Sequence, residues 1–187
     1  DQATDDGDLI LQCDDGSGSL TPYITLDGSA TQVKIDKETI FADSVKSMFG
    51  AGGDLQIYHD GSNSYLDNIT GNLTIRNFTD DGDIIFQSDD HSGGVSTYFF
   101  LDGSTTSELT TSFPDNSMAA FGTGKDLRLW HDGSTSYINN YTGDFRLYQH
   151  VDDGDMKFYC DDGSGGVAIY LALDGGISSL VAYRDIL

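Results

Sequence analysis

One stretch of this chain occurs twice and decides the fold. It reads Asp54-Leu-Gln-Ile-Tyr-His-Asp-Gly-Ser-Asn-Ser-Tyr-Leu-Asp-Asn-Ile-Thr-Gly-Asn-Leu-Thr-Ile-Arg-Asn77. It recurs 72 residues later, without a gap, as Asp126-Leu-Arg-Leu-Trp-His-Asp-Gly-Ser-Thr-Ser-Tyr-Ile-Asn-Asn-Tyr-Thr-Gly-Asp-Phe-Arg-Leu-Tyr-Gln149. Each copy predicts a strand, an Asp-Gly turn, a strand, a Thr-Gly turn and a third strand. A repeated β-module predicts a repetitive array rather than a fold built around one active site.

A second module alternates with the first. It opens with Asp-Asp-Gly-Asp at residues 5, 80 and 152, so its copies are 75 and 72 residues apart. The chain is therefore about two and a half copies of one unit, which we divide as 1–79, 80–151 and 152–187. The two chain ends fall out of phase with this unit. We therefore expect a piece of a longer repetitive polypeptide, or a protomer that continues head to tail into another copy.

The apolar residues alternate with polar ones over runs of four to six, which predicts an all-β protein of short strands. In the first copy we expect Leu55, Ile57 and His59 to face inward, and Leu73 and Ile75 to mark the third strand. One such unit has too narrow an apolar face to offset its loss of conformational entropy. We favour an elongated fibre in which three chains intertwine around one axis, as a homotrimeric β-helix or β-prism. A single-chain β-solenoid, or a stack of β-modules, is the alternative.

The composition excludes several classes of function. The chain has 9 basic and 31 acidic residues and a net charge of −22, so it has no basic patch for nucleic acid and is not expected to insert into membranes. Only Glu38 and Glu108 are glutamates, and ten Asp-Gly pairs mark tight turns. The recognised catalytic motifs are missing from the sequence, and paired aspartates in every repeat indicate structure rather than one catalytic cleft. We therefore expect no enzymatic activity.

The repeat resembles that of tail-fibre and virion structural proteins of marine and freshwater phages, cyanophages among them. The resemblance lies in Phe-Gly-x-Gly-x-Asp-Leu, starting at Phe49 and Phe121, in the His-Asp-Gly-Ser turn that follows, and in the connector from Phe113 to Ser117. It implies a homotrimeric fibre at the virion surface, which serves host attachment and acts outside the cell. The same repeats are also compatible with a free extracellular filament, with or without glycosylation.

Two groups of side chains are candidate metal ligands. Paired aspartates recur in phase and are either turn residues that bond nearby backbone or oxygen ligands for a structural Ca²⁺ ion; they are Asp14, Asp15, Asp89, Asp90, Asp161 and Asp162. His59 and His131 either bond the backbone of the adjacent turn or place three symmetry-related imidazoles around an ion on a trimer axis. No cofactor is expected beyond this optional calcium.

Aromatic and amide side chains are the remaining candidates. Tyr58 and Trp130 are predicted to lie on outward faces, where they either pack across strands between repeats or stack on host-surface glycans. Four Asn-x-Thr sequons offer sites for N-glycosylation, namely Asn68, Asn72, Asn77 and Asn140. Cys13 and Cys160 occupy equivalent repeat positions and are expected to be buried free thiols, with an interchain bridge as the alternative.

Overall fold

The computed structural model describes residues 4–105 and 107–184. These residues form fifteen strands and no helix, which confirms the predicted all-β class. The strands are β1 (Leu9–Asp14), β2 (Leu20–Asp27), β3 (Gln32–Ile35), β4 (Ser47–Phe49), β5 (Leu55–His59), β6 (Ser64–Asn68), β7 (Ile84–Asp89), β8 (Val95–Asp102), β9 (Thr110–Ser112), β10 (Met118–Phe121), β11 (Leu127–His131), β12 (Ser136–Asn140), β13 (Met156–Asp161), β14 (Val167–Asp174) and β15 (Ser179–Ala182).

Every three consecutive strands make one antiparallel sheet, so the chain contains five small sheets. Sheets β1–β3, β7–β9 and β13–β15 are copies of one module, and sheets β4–β6 and β10–β12 are copies of the other. Two compact units contain them: Asp1–Ile75 carries the first two sheets, and Arg76–Leu187 carries the last three. The border between the compact units, at Ile75 and Arg76, does not coincide with the predicted repeat boundaries after residues 79 and 151. These repeat boundaries therefore stay a prediction.

The long hairpins of the first module share one irregular register. In each, the pairing shifts at the same point, between Leu11 and Gln12 in β1 and at the equivalent positions of β7 and β13. A bulge of this kind adds one residue to one strand and bends it. The hydroxyl of Tyr98 donates across the hairpin to the carbonyl oxygen of Asp89 at 2.9 Å, and Tyr23 and Tyr170 do the same in their copies.

Aspartate carboxylates build the turns of these hairpins. The Oδ1 atom of Asp90 accepts from the N–H of Ser92 at 2.8 Å, from the hydroxyl of Ser92 at 2.7 Å and from the N–H of Gly94 at 3.0 Å. Asp15 and Asp162 repeat these contacts in their own turns. A short carboxylate that satisfies turn N–H groups is the reason that aspartate outnumbers glutamate in this sequence.

In each copy of the first module, the glycine of one Asp-Gly pair also allows two turns to approach each other closely. A Cβ atom on Gly103 would clash with the carbonyl oxygen of Gly82, and the N–H of Gly103 donates to Asp83 Oδ1 at 3.0 Å. Gly28 and Gly175 make the same close approach in their copies. Two turns that are distant in sequence therefore meet at the base of each sheet, and a side chain here would separate them.

The shorter hairpins of the second module close on a different aspartate turn. Asp60 Oδ1 accepts from the N–H groups of Ser62 and Asn63, each at 2.8 Å, while its Oδ2 accepts from the hydroxyl of Tyr65 at 2.9 Å. Asp132 makes the equivalent three bonds 72 residues later. The predicted Asp-Gly hairpins are thus confirmed in both copies.

The third strand predicted in each copy of the opening stretch is wrong. Leu73 and Ile75, like Phe145 and Leu147, lie outside the regular strands, and no described strand pairs with them. The alternation in the sequence is real, but a strand needs a partner for its main-chain groups, and residues 4–105 and 107–184 offer none at that place.

The described residues contain almost no hydrophobic core. Among their apolar side chains only Ala172 is buried, while Thr25 and Asp27 are the buried polar residues. The chain exposes 14856 Å², whereas a compact monomer of 20.2 kDa exposes about 8,800 Å². Even two separate compact domains of half that mass would expose only about 10,600 Å² together. The sheets are held by hairpin pairing and turn chemistry, and their faces are left uncovered.

The turn carboxylates make stability depend on pH. The pKa of Asp90 lies below its usual 3.8, chiefly because the hydroxyl of Ser92 and then the N–H groups of Ser92 and Gly94 bond its charged form. Such a group stabilises the fold fully above its unfolded pKa and loses that effect as the pH falls through 3.8 toward the lower folded value.

We therefore compare the melting temperature of the wild type with that of Asp90→Asn from pH 7 to pH 3 by circular dichroism. The amide oxygen keeps the acceptor position but does not titrate. The advantage of the wild type should be constant at neutral pH and shrink below about pH 4. A difference that stays the same across this range would contradict the proposed role of the carboxylate.

Candidate assembly surface

The exposed apolar residues are concentrated on one face of each sheet. In the sheet β1–β3, the register places Leu9 opposite Leu26 and Leu26 opposite Val33, and a second row contains Leu11, Ile24 and Ile35. We call these two rows, and their equivalents in the other copies, the apolar face. In β7–β9 it contains Ile84, Leu101, Thr111, Phe86, Phe99 and Phe113, and in β13–β15 it contains Met156, Leu173, Leu180, Phe158, Leu171 and Ala182.

The apolar face is open to solvent in all three copies. Val33 is 63% exposed, Leu101 is 43% exposed and Leu180 is 66% exposed. In the middle copy Phe99 stacks on Phe86 and on Phe113, with ring centroids 4.5 and 5.9 Å apart. Contiguous apolar surface of this kind on a soluble chain marks an interaction site.

The opposite face of these sheets has a different composition. In the first copy it carries Thr25, Asp27 and Lys34, and the ammonium group of Lys34 pairs with the carboxylate of Asp27. This contact, followed by the N–H of Ala30 and the hydroxyl of Ser29, holds the pKa of Asp27 far below its usual range. In the third copy it carries Lys157, whose ammonium lies 3.1 Å from Asp155. The buried residues of the described chain, Thr25, Asp27 and Ala172, all lie on this face, so it is the more covered of the two.

The second module repeats the same asymmetry. Ile57 pairs with Leu66 across β5 and β6, and both are 47% exposed, while Leu129 and Ile138 take the equivalent places. The pairing register agrees with the predicted common face for Leu55, Ile57 and His59. Each sheet therefore presents an uncovered apolar surface on one side.

Two shallow cavities lie at the edge of the apolar face, at equivalent positions of two copies. One has a volume of about 410 Å³ and includes Met156, Leu173 and Leu180 among its walls. The other has a volume of about 170 Å³ and includes Ile84 and Leu101. Since both cavities are open and share the walls of the apolar face, we regard them as part of that surface.

The predicted metal ligands do not gather into a site within the described part of the chain. No group of three or more histidine, cysteine or acidic side chains that could hold an ion occurs there. Each aspartate pair instead serves its own turn: the N–H of His91 donates to Asp89, that of Gly16 donates to Asp14, and that of Gly163 donates to Asp161. Calcium binding stays a prediction, which a melting temperature measured with and without excess EDTA would test.

The two histidines lie at the ends of strands β5 and β11. The Nδ1 atom of His59 is 3.2 Å from the hydroxyl oxygen of Ser64, and that of His131 is 3.0 Å from the hydroxyl oxygen of Ser136. The expected bond to turn backbone is therefore replaced by a bond across the hairpin. An ion between histidines of three chains stays a prediction.

Tyr58 and Trp130 pack against rings of their own hairpins rather than between repeats. Tyr58 stacks on Tyr65 at 4.9 Å, and Trp130 stacks on Tyr137 at 4.7 Å. The ammonium of Lys46 lies 4.4 Å from the centre of the Tyr58 ring. Burial, followed by the hydrogen bond to Asp67, raises the pKa of Tyr58. Glycan contact through these two rings stays a prediction, although their neighbours already occupy much of the ring surface.

Three of the four sequon asparagines are engaged by backbone. The Nδ2 atom of Asn68 donates to the carbonyl oxygens of Thr70 and Gly71 at 3.0 and 2.9 Å, and Asn140 makes the same pair of bonds in the next copy. Asn77 donates to Asp83 at 3.0 Å. These asparagines hold turns in place, whereas the amide of Asn72 makes no such bond to the residues that the structure describes. Glycosylation stays a prediction, and Asn72 is the position that fits it best.

The two cysteines are free thiols, as expected, but the expectation that they are buried is wrong. Both are exposed, because the apolar face to which they belong is uncovered: Cys13 follows Leu9 and Leu11 at the same strand parity. The sequence predicts which residues of single strands share an apolar face, such as Leu55 and Ile57, but the rows that run across each sheet required the pairing registers.

Comparison with protein-family models, with curated proteins and with solved structures found no match to this chain. Among the described residues there is also no helix of the length and apolarity that crossing a membrane requires. The geometry of the chain itself therefore has to carry any functional conclusion.

The stacked aromatic pair offers a local test of the second module. Trp130→Ala removes a ring that stacks on Tyr137 and should destabilise the fold by about 1 to 3 kcal/mol in urea unfolding. Trp130→Phe is the matched control, because it keeps a ring and the lost Nε1 atom is buried with no hydrogen-bond partner. Equal destabilisation by alanine and phenylalanine would contradict a role for stacking.

Proposed function

We propose that this chain is a segment of a structural fibre in which three copies cover one another's apolar faces. The observation that carries the proposal is the uncovered apolar face, which recurs in every copy of both modules. A single chain with these faces exposed gains little from hydrophobic burial, whereas copies that share an interior gain it along their whole length.

The exposed area supports an obligate assembly. The chain exposes about 4,300 Å² more than two compact domains of its total mass would. Permanent interfaces bury on the order of 2,000 to 5,000 Å² or more. Removing this excess would therefore require an interface of the permanent kind rather than a transient contact.

Three copies suit this geometry better than two. The apolar face is only two or three residues long on each strand, and a face this narrow suits a crowded shared axis with a sheet from each chain around it. The resemblance of the Phe-Gly-x-Gly and His-Asp-Gly-Ser repeat to phage fibre proteins supports the same number, and we propose on the same ground that the fibre belongs to a virion and serves attachment to a host surface. We propose no enzymatic role, and calcium only as an optional structural ion between chains.

The chain offers a matched pair of variants to test the assembly. Leu101 lies on the apolar face of the sheet β7–β9, and Ile85 lies on the opposite face with comparable exposure, 43% against 54%. A charge at Leu101 would have to be desolvated in the shared interior, and one at Ile85 would not.

We therefore expect Leu101→Asp to dissociate the assembly in sedimentation velocity, while Ile85→Asp sediments like the wild type. Equal behaviour of the two variants would contradict the assignment of the apolar face to the interior.

Particle imaging separates the two settings in which such a fibre could act. Fibres of fixed length attached to capsids or tails would support the virion role. Indefinite free filaments with a helical repeat would instead support the extracellular filament, for which the uncommitted amide of Asn72 provides a place for glycosylation.

A further inference from the structure

Two short segments carry the sequence pattern of a strand but have no strand partner. They are residues 73–78 and 145–150, which we call the linking segments, and they are 72 residues apart. Neither belongs to a regular strand, and the structure gives no main-chain hydrogen bond to Leu73–Arg76 or to Phe145–Tyr148. The last regular contact before each segment is the bond of Ile69 or Tyr141 back to its hairpin, at 2.7 and 2.8 Å.

The side chains of the linking segments are also uncovered. Leu73 and Ile75 are 47% and 57% exposed, and their equivalents Phe145 and Leu147 are exposed as well. Proteins protect unpaired strand-forming segments with proline, charged side chains (lysine above all) or bulges, because such segments attract other chains. The linking segments contain no proline and no lysine, and each has a single charged residue, an arginine. Their sequences are therefore of the kind that pairs with another strand.

Charge favours contact between copies at these places. The chain as a whole carries −22, so copies of it repel one another. Each linking segment contains one arginine and no acidic residue, namely Arg76 in the first and Arg146 in the second, although the guanidinium of Arg146 pairs with Asp144, just before its segment, at 2.6 Å. Approach of a second acidic chain is therefore less opposed at the linking segments than at the aspartate turns.

We propose that the linking segments pair as added strands with sheet edges of a neighbouring copy of this chain. The inference rests on the proposed fibre assembly and specifies how the chains are joined. A second copy is the fitting occupant because it repeats the same modules and linking segments at the same 72-residue spacing, so one kind of contact can recur along the proposed fibre. A strand of the neighbouring copy would then form main-chain hydrogen bonds with the segment that contains Leu73 and Ile75, which has the alternation of a strand.

Hydrogen exchange of the intact assembled chain, read by mass spectrometry, tests this pairing. The amides of Leu73–Arg76 and Phe145–Tyr148 should exchange at least about tenfold more slowly than unprotected amides of the same sequence. Rapid exchange of both segments in an assembly of confirmed mass would overturn the pairing and leave the proposed fibre standing. A chain that is monomeric in solution would overturn both. Slow exchange in a monomer, or only after another protein is added, would overturn the pairing between copies.

A pair of double variants tests the main-chain bonds themselves. Thr74→Pro with Arg146→Pro removes an N–H donor from each segment, whereas Thr74→Ala with Arg146→Ala truncates the same side chains and keeps both donors. We expect the proline variant to lose assembly and the alanine variant to keep it. Assembly of the proline variant at wild-type strength would overturn the inference. Should the proline variant fail to fold, the exchange rates of the wild type decide the question.

Discussion

Each small antiparallel sheet of this chain has one apolar face, and the described residues leave that face uncovered. Each sheet contains three strands, and the described chain buries a single apolar side chain, Ala172. Hydrophobic burial is the dominant favourable term in folding, so a structure that forgoes it within the chain has to find it elsewhere. The exposed side chains of Leu26, Leu101 and Leu173 need a cover, and the proposed assembly of several chains supplies it. The proposed pairing of the linking segments with a neighbouring copy rests on the same assembly.

Within a single chain, the structure is fixed mainly by hydrogen bonds in the turns. Asp15, Asp90 and Asp162 each accept three bonds from their own turns, and Asp60 and Asp132 do so in the other module. These bonds fix hairpin register locally, without contacts between distant parts of the sequence. These aspartates are negatively charged, and they account for much of the net charge of −22. Self-repulsion of that size opposes association of the chains, and contacts between their apolar faces have to offset it.

Much of this architecture could be predicted from the sequence, because its determinants are local. Period-2 alternation at Leu55 and Ile57 and the Asp-Gly pairs at residues 60 and 132 specify hairpins wherever they occur. The predictions that were wrong concern which residues pair with a segment or cover its side chains. Leu73 and Ile75 alternate like strand residues but pair with no strand that the structure describes, and Cys13 was expected to be buried on a face that one chain leaves open. Tyr58 was expected to pack between repeats, yet it pairs with Tyr65 seven residues away because the hairpin places them opposite each other.

The proposed role as a fibre segment depends on one quantity, the number of chains that share an interior. Light scattering coupled to size-exclusion chromatography measures the mass of the intact assembly directly. The account predicts three times the 20.2 kDa of one chain, or a larger assembly built from such trimers. A stable, folded particle with the mass of a single chain would contradict it, since its apolar faces would then be open to water without a partner.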